Sequence, residues 1–465
     1  MALSKIWSAF IIIAIAVATF RMMATDNKVV FSSMVTGKAG DTIKLKKTDT
    51  SALSSSLLEK LNTDHFINQD GKLIVRTNDN QLQYIQIQNA DGIIETCKTA
   101  VNISIGLIGI MALFMGLISI ADRAGGIRFL SKIVGPFFSR LFPELPKGHP
   151  AMGHMVMNFS ANLLGLDNAA TPFALKAMDS LQTINPDKTK ASDTQIMFLC
   201  LHASGLQLIP VSVIAIRASL KASNPTDVFI PIIIATFVAT MASMFIVAFK
   251  QKINIFQPVI LLWVGSLSII IAALVTYLHS MDAEGIQSFS GKLGNGLILL
   301  IFLLIIGGAL YKRINTFDAF VEGAKGGFET AVRIIPYLVG MLVAISMLRT
   351  SGTFDMVING IKHFFTALGT DTRFVDGLPT ALIKPLSGAG ARGMMIDTMK
   401  TFGPDSFAGR LSGILQGSSD STFYVAAVYF GSVSIKNTRY SIGAMLLADL
   451  VGILTSIFLA YLFFG

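Results

Sequence analysis

Seven stretches of this chain, about 5–24, 99–121, 227–249, 256–278, 294–311, 331–349 and 441–463, stay apolar over roughly the 20 residues a helix needs to cross a bilayer core. Two more, 195–217 and 409–432, are long enough but interrupted by polar residues, so nine crossings are expected. Lipid offers backbone N–H and C=O groups no partner, so runs of this kind commit the chain to helices. Composition agrees: of 465 residues 52% are hydrophobic and 14% charged, against about a quarter charged in soluble domains. An ordinary soluble enzyme is excluded. The net charge of +9 does not indicate nucleic acid, because the basic residues flank apolar runs as topology signals. Cys97 and Cys200 have neither a disulfide partner nor metal-ligand spacing.

The first run follows a short leader bearing Lys5 and ends at Ala18-Thr19-Phe20-Arg21, a poor cleavage site, so an uncleaved anchor is the better reading. Residues 26–94 are polar, with strand patterns at 73–75 and 82–87, a helix pattern at 53–61 and a turn at 68–71. They read as a small α+β insertion outside the bilayer. Two stretches, 151–182 and 376–400, carry Gly, Asn, Asp and Pro at their centres. Read as re-entrant hairpins, with the N-terminus inside, they leave Lys250, Lys252, Lys312, Arg313 and Lys325 cytoplasmic, as the positive-inside tendency favours; read as full spans they export all five.

The two halves share an order of elements. Glu95-Thr96 and Glu329-Thr330 each precede a span. An amphipathic arm follows in each, marked by Ile127, Leu130, Val134, Phe138 and Leu141 in one and Phe354, Ile358, Ile361 and Phe365 in the other. A hairpin and then a broken span come next. Five crossings separate equivalent elements, which inverts one half relative to the other, the pattern of transporters that bind solute between repeats.

Polar groups at membrane depth are costly and usually functional. The first hairpin offers Asn162, Asp167, Asn168 and Thr171, and the second offers Ser387 and Arg392. The broken spans add His202, Ser204 and Gln207 in one and Gln416, Ser418, Ser419 and Thr422 in the other. These thirteen are the expected solute-binding residues; Asp397 and Asp420 are the expected ion-coupling residues. Asp449, in the last span, reads as a structural or boundary residue. No nucleophile and base pair, metal triad or HExxH-type motif appears, so no enzyme is expected.

At His149–Pro172, Leu175–Met178 and Leu208–Arg217 the chain resembles spore maturation protein A. At Phe320–Lys325, Ile335–Val339, Lys384–Ala391, Gly403–Ser406 and Gln416–Val425 it resembles spore maturation protein B, so the whole is similar to a fusion of the two. Both belong to the nucleoside-recognition, or Gate, domain group, related to parts of concentrative nucleoside transporters and of the ferrous iron transporter B. The resemblance implies a hairpin-containing, transporter-like core. The chain departs from that pattern in the 26–94 insertion, in Asp167 where glycine is usual, and in His202-Ala203-Ser204 where Asn-Thr-Ser is common.

The expectation is thus an all-α polytopic membrane protein: an inverted repeat with two re-entrant helical hairpins and two broken spans, plus a small α+β extramembrane insertion. Its parts are a first transmembrane helix (1–24), the extracytoplasmic insertion (25–94), a first Gate-like half (95–255), a linking helix and outer loop (256–291) and a second Gate-like half (292–465). Its expected partners are a small polar solute, nucleoside-like or an organic anion, and the lipid of the inner membrane; a homo-oligomer is compatible, and nucleic acid is not expected. No cofactor is implied beyond a coupling Na+ or H+. The alternative is a non-transporting scaffold or envelope-maturation factor that binds partners through 25–94.

Overall fold

The computed structural model describes the chain except residues 1, 25–29, 50–65, 70–71, 77–80, 91, 147, 164–166 and 280–282. Seven helices are long and apolar enough to cross a membrane: Trp7–Ala24, Ile93–Arg123, Phe229–Gln251, Pro258–Tyr277, Lys292–Tyr311, Thr316–Thr350 and Ser441–Phe464. Each falls on one of the seven uninterrupted apolar runs. The chain divides into two compact units, Ile6–Ala100 with Leu342–Gly360, and a larger one holding Met1–Lys5, Val101–Met341 and Ile361–Gly465.

In the smaller unit the first helix, Ala2–Ala24, places Ala14 and Ala18 in an apolar cluster with Val30, Met34, Met347 and Leu348. The Arg21 guanidinium donates to the Ser351 carbonyl at 2.8 Å. The insertion carries a four-stranded antiparallel sheet in the order β1-β4-β3-β2, from Lys38–Asp49, Phe66–Gln69, Lys72–Arg76 and Gln81–Ala90. The strand patterns at 73–75 and 82–87 lie within β3 and β4. The helix pattern at 53–61 and the centre of the turn at 68–71 lie outside the described residues.

The larger unit holds the hairpins and broken helices. The first hairpin pairs Pro150–Leu163 with Asp167–Ile184, and the second pairs Leu378–Ile383 with Gly388–Phe402. Each interrupted run becomes two helices with a break between them. In the first, Asp193–Ser204 starts on a capping box made by Ser192 and Gln195. It ends at Gly205, whose left-handed φ of 57° suits glycine, and Pro210 then opens Val211–Ser219. In the second, Phe407–Gly417 starts on Ser406, which accepts from the Gly409 N–H, and stops at Ser418. After the break come one turn of α-helix, Thr422–Val425, and one of π-helix, Ala426–Phe430.

Around these pieces lies a core that includes Phe138, Phe159, Met178, Leu199, Met244, Tyr429 and Met445. The first arm, Gly126–Leu141, buries Val134, Phe137, Phe138 and Leu141 and exposes Arg128, Lys132 and Arg140, as its helical period predicts. Phe229–Gln251 packs against the last helix and against the first half of the first broken helix.

Helices Ile93–Arg123 and Thr316–Thr350 meet backbone to backbone. A Cβ on Gly327 would sit 2.6 Å from the Met111 carbonyl oxygen, and one on Gly323 would sit 2.4 Å from that of Met115. Close crossings of this kind hold apolar helices together where lipid supplies no hydrophobic driving force. Gly327→Val is expected to cost about 1–3 kcal/mol or more, because rigid backbone must move. Gly326→Val is the control, since a Cβ there meets nothing within 4 Å. Equal unfolding midpoints for the two variants in detergent would contradict the close crossing.

Candidate functional site

A broken helix exposes carbonyls at the end of its first half and N–H groups at the start of its second, and buried groups of both kinds need partners. Here the partners come from the other pieces. The Asp420 N–H in the second break donates to the Ala203 carbonyl at the first, at 2.7 Å. The Leu208 N–H in the first break donates to Leu163 at the end of the first hairpin's leading helix, at 2.7 Å, and the Phe423 N–H donates to Pro385 at the tip of the second, at 3.0 Å. Each break is thus tied to its own hairpin, and the two breaks to each other. Lys384 Nζ adds a bond to the Gln416 carbonyl at 2.6 Å, setting a cation at the negative end of a half-helix.

The broken helices run antiparallel, so the end of one meets the start of the other. At one such place Arg217, with a fully buried side chain, donates to Asp227 at 2.8 Å, to Asp405 at 3.2 Å and to the carbonyls of Asn224, Pro225 and Pro404. Arg410 reaches Asp227 at 2.8 Å and the Asp405 carbonyl, and the Ser223 N–H and hydroxyl both donate to Asp405. Burial pushes the Asp405 carboxyl up, but the Ser223 bonds and the charges of Arg217 and Arg410 outweigh it and hold the group below its usual value. At the opposite place the Lys436 and Asn437 N–H groups donate to Thr189, the Ala191 N–H donates to Asn437, and Arg439 pairs with Asp193. Two clasps of similar plan therefore join the ends of the broken helices.

Between hairpins and breaks lies a cavity of about 560 Å³, within the usual range of small-molecule sites. Of the residues singled out from sequence, Asn162, Thr171, His202, Gln207, Ser387, Arg392 and Asp420 line it. Ser204, Gln416, Ser418, Ser419 and Thr422 do not; they serve the breaks. The Ser204 and Ser418 hydroxyls turn back to Leu201 and Leu415, the Gln416 carbonyl receives Lys384, and Ser419 and Thr422 bond Asp449. Asp397 lies on the helix after the second tip and is not on the cavity wall. Asp167 and Asn168 open the second helix of the first hairpin, and their side chains lie outside the described residues.

His202 is buried, its Nδ1 3.0 Å from both the Asn158 Oδ1 and the Asn162 amide, with the Tyr429 ring edge-on at 4.9 Å. Asn158 in turn donates to the Ala170 carbonyl at 2.7 Å, so this ring orientation is fixed by the first hairpin. Three contributors were missed. Asp449, 4% exposed, accepts from the Thr422 hydroxyl at 2.6 Å and braces the second break; a carboxylate inside a 24-residue apolar helix was the signal. Tyr337 and Tyr424 line the wall from elements whose apolar pattern gave them no distinction.

Hairpins, broken helices and an enclosed polar cavity among seven bilayer-length helices define a multi-pass α-helical membrane protein of transporter-like build. Residues 104–284 and 331–436 match the model of the Gate family, described as nucleoside recognition, and the chain belongs to that family. It is 47% identical to spore maturation protein B of Bacillus subtilis (strain 168) over 175 residues, which cover 37% of this chain and 97% of the relative. It is 38% identical to spore maturation protein A of the same organism over 156 residues, 34% of this chain and 80% of the relative. The two relatives match different parts of the chain, as a fusion of an A-like and a B-like protein would. No solved structure matches the chain.

Proposed function

We propose that this protein moves a small polar solute across the membrane by alternating access between two inverted halves. The observation that carries the reading is the convergence of polar groups from both hairpins and both breaks on one cavity. The matching ties of each break to its own hairpin, and the two clasps of similar plan, support the inverted repeat. The hairpins are read as re-entrant, the N-terminus as cytoplasmic, 25–94 as extracytoplasmic and the membrane as the inner one, from the distribution of Lys and Arg along the loops.

Asp420 is the group expected to couple solute to an ion, with Asp449 behind it. Losing a charge-assisted contact costs about 1.5–3 kcal/mol, which is about tenfold or more in binding. Vesicles reconstituted with the full chain and offered radiolabelled amino acids, nucleosides and organic acids are expected to take up at least one. Asp420→Asn should cut that uptake about tenfold, and Ser419→Ala should weaken it through the brace on Asp449. Uptake unchanged in both variants would sink the assigned site. The names of the two relatives favour a second reading, an envelope or spore-maturation factor without transport, for which no uptake above empty vesicles is the expected result.

A further inference from the structure

The ionic lining of the cavity narrows the solute. Among the described residues on its wall, Arg392 is the only one with a fixed positive charge and Asp420 the only one with a carboxylate. They come from different elements, the first turns of the helix capped by Ser387 and the break of the second broken helix, and each lies in the other's field. The nearby Lys384 and Asp449 are held by the Gln416 carbonyl and the Thr422 hydroxyl and are not on the wall. The rest of the wall is neutral: amides at Asn162 and Gln207, rings at Tyr337 and Tyr424, and aliphatic side chains.

A buried charge is tolerated only when paired. A solute with one negative charge would meet Asp420 as well as Arg392, and one with a single positive charge would meet Arg392 as well as Asp420. A neutral solute would displace water from both poles and return no charge to either. A solute with a carboxylate and an ammonium on neighbouring atoms answers both. We infer that the cavity takes a small zwitterion, an amino acid or short peptide, with its carboxylate towards Arg392, its ammonium towards Asp420 and its side chain along the tyrosines. This inference rests on the transport reading above.

The test is stabilisation of the purified full chain in detergent by ligands. The probes are the amino acids, two matched sets (L-phenylalanine, phenethylamine and 3-phenylpropionate; L-leucine, isoamylamine and 4-methylpentanoate), and the nucleosides uridine and adenosine. At least one zwitterion is expected to bind about tenfold or more tightly than its matched amine and acid. Arg392→Gln should erase the preference over the amine, and Asp420→Asn the preference over the acid. Arg392→Lys and Asp420→Glu, which keep the charges, should preserve the order and so separate recognition from folding. Tighter binding of a nucleoside, or of a singly charged analogue, than of every zwitterion would overturn the inference and leave transport standing. Zwitterion binding indifferent to all four variants would overturn it too. No stabilisation by any probe, together with no vesicle uptake, would overturn both.

Discussion

Arg217→Met is expected to destabilise the protein by about 3–5 kcal/mol, the usual cost of removing one partner from a buried ion pair. The Arg217 side chain is fully buried and that of Asp227 is 3% exposed, so the carboxylate left behind has Arg410 as its remaining cation. The carbonyls of Asn224, Pro225 and Pro404 lose a donor at the same time. Asp405→Asn should cost far less, because that side chain is 30% exposed and water can replace its contacts. Arg217→Met combined with Asp227→Leu should recover part of the loss, since replacing both charges removes the unpaired one. Denaturant unfolding in micelles measures all three. A single Arg217→Met variant as stable as its parent would mean that the clasp holds nothing.

A covalent lock on the opposite clasp is expected to abolish transport. Lys190 and Asn437 form a parallel β-bridge, which brings their Cα atoms within disulfide range. The doubly substituted protein, Lys190→Cys with Asn437→Cys, in a background of Cys97→Ser and Cys200→Ala, should bring uptake to the level of empty vesicles when oxidised and recover on reduction. If both ends of the broken helices take turns in separating, joining either one stops the cycle. Uptake by the oxidised protein at the reduced rate would show that this end never opens, and alternating access through it would be wrong.

The spans were readable because about 20 apolar residues in a row leave a helix little alternative. The breaks were readable because Gly205 and Pro210 in one, and Ser418 to Ser421 in the other, put turn and capping residues inside such a run. The clasps were not. Arg217 and Asp405 are 188 positions apart, and local pattern carries no trace of so distant a partner. On loop charges alone Arg217 read as an ordinary residue of an outer loop, whereas the fold buries it. Sequence named the polar residues of the second break without separating Asp420, which faces the cavity, from Ser419 and Thr422, which brace it through Asp449. That sorting depends on which way each side chain leaves an irregular backbone, and periodicity does not extend there.

The four ionisable groups at the second break, Lys384, Arg392, Asp420 and Asp449, carry two formal charges of each sign, whereas the first break presents Asn158, Asn162, His202 and Gln207. Moving one net charge through the membrane field costs about 2.3 kcal/mol per 100 mV. A centre with a formal sum of zero escapes that cost whether empty or holding a zwitterion. The membrane voltage then neither drives nor brakes the cycle, until a proton lands on one of the two carboxylates and gives the field something to pull.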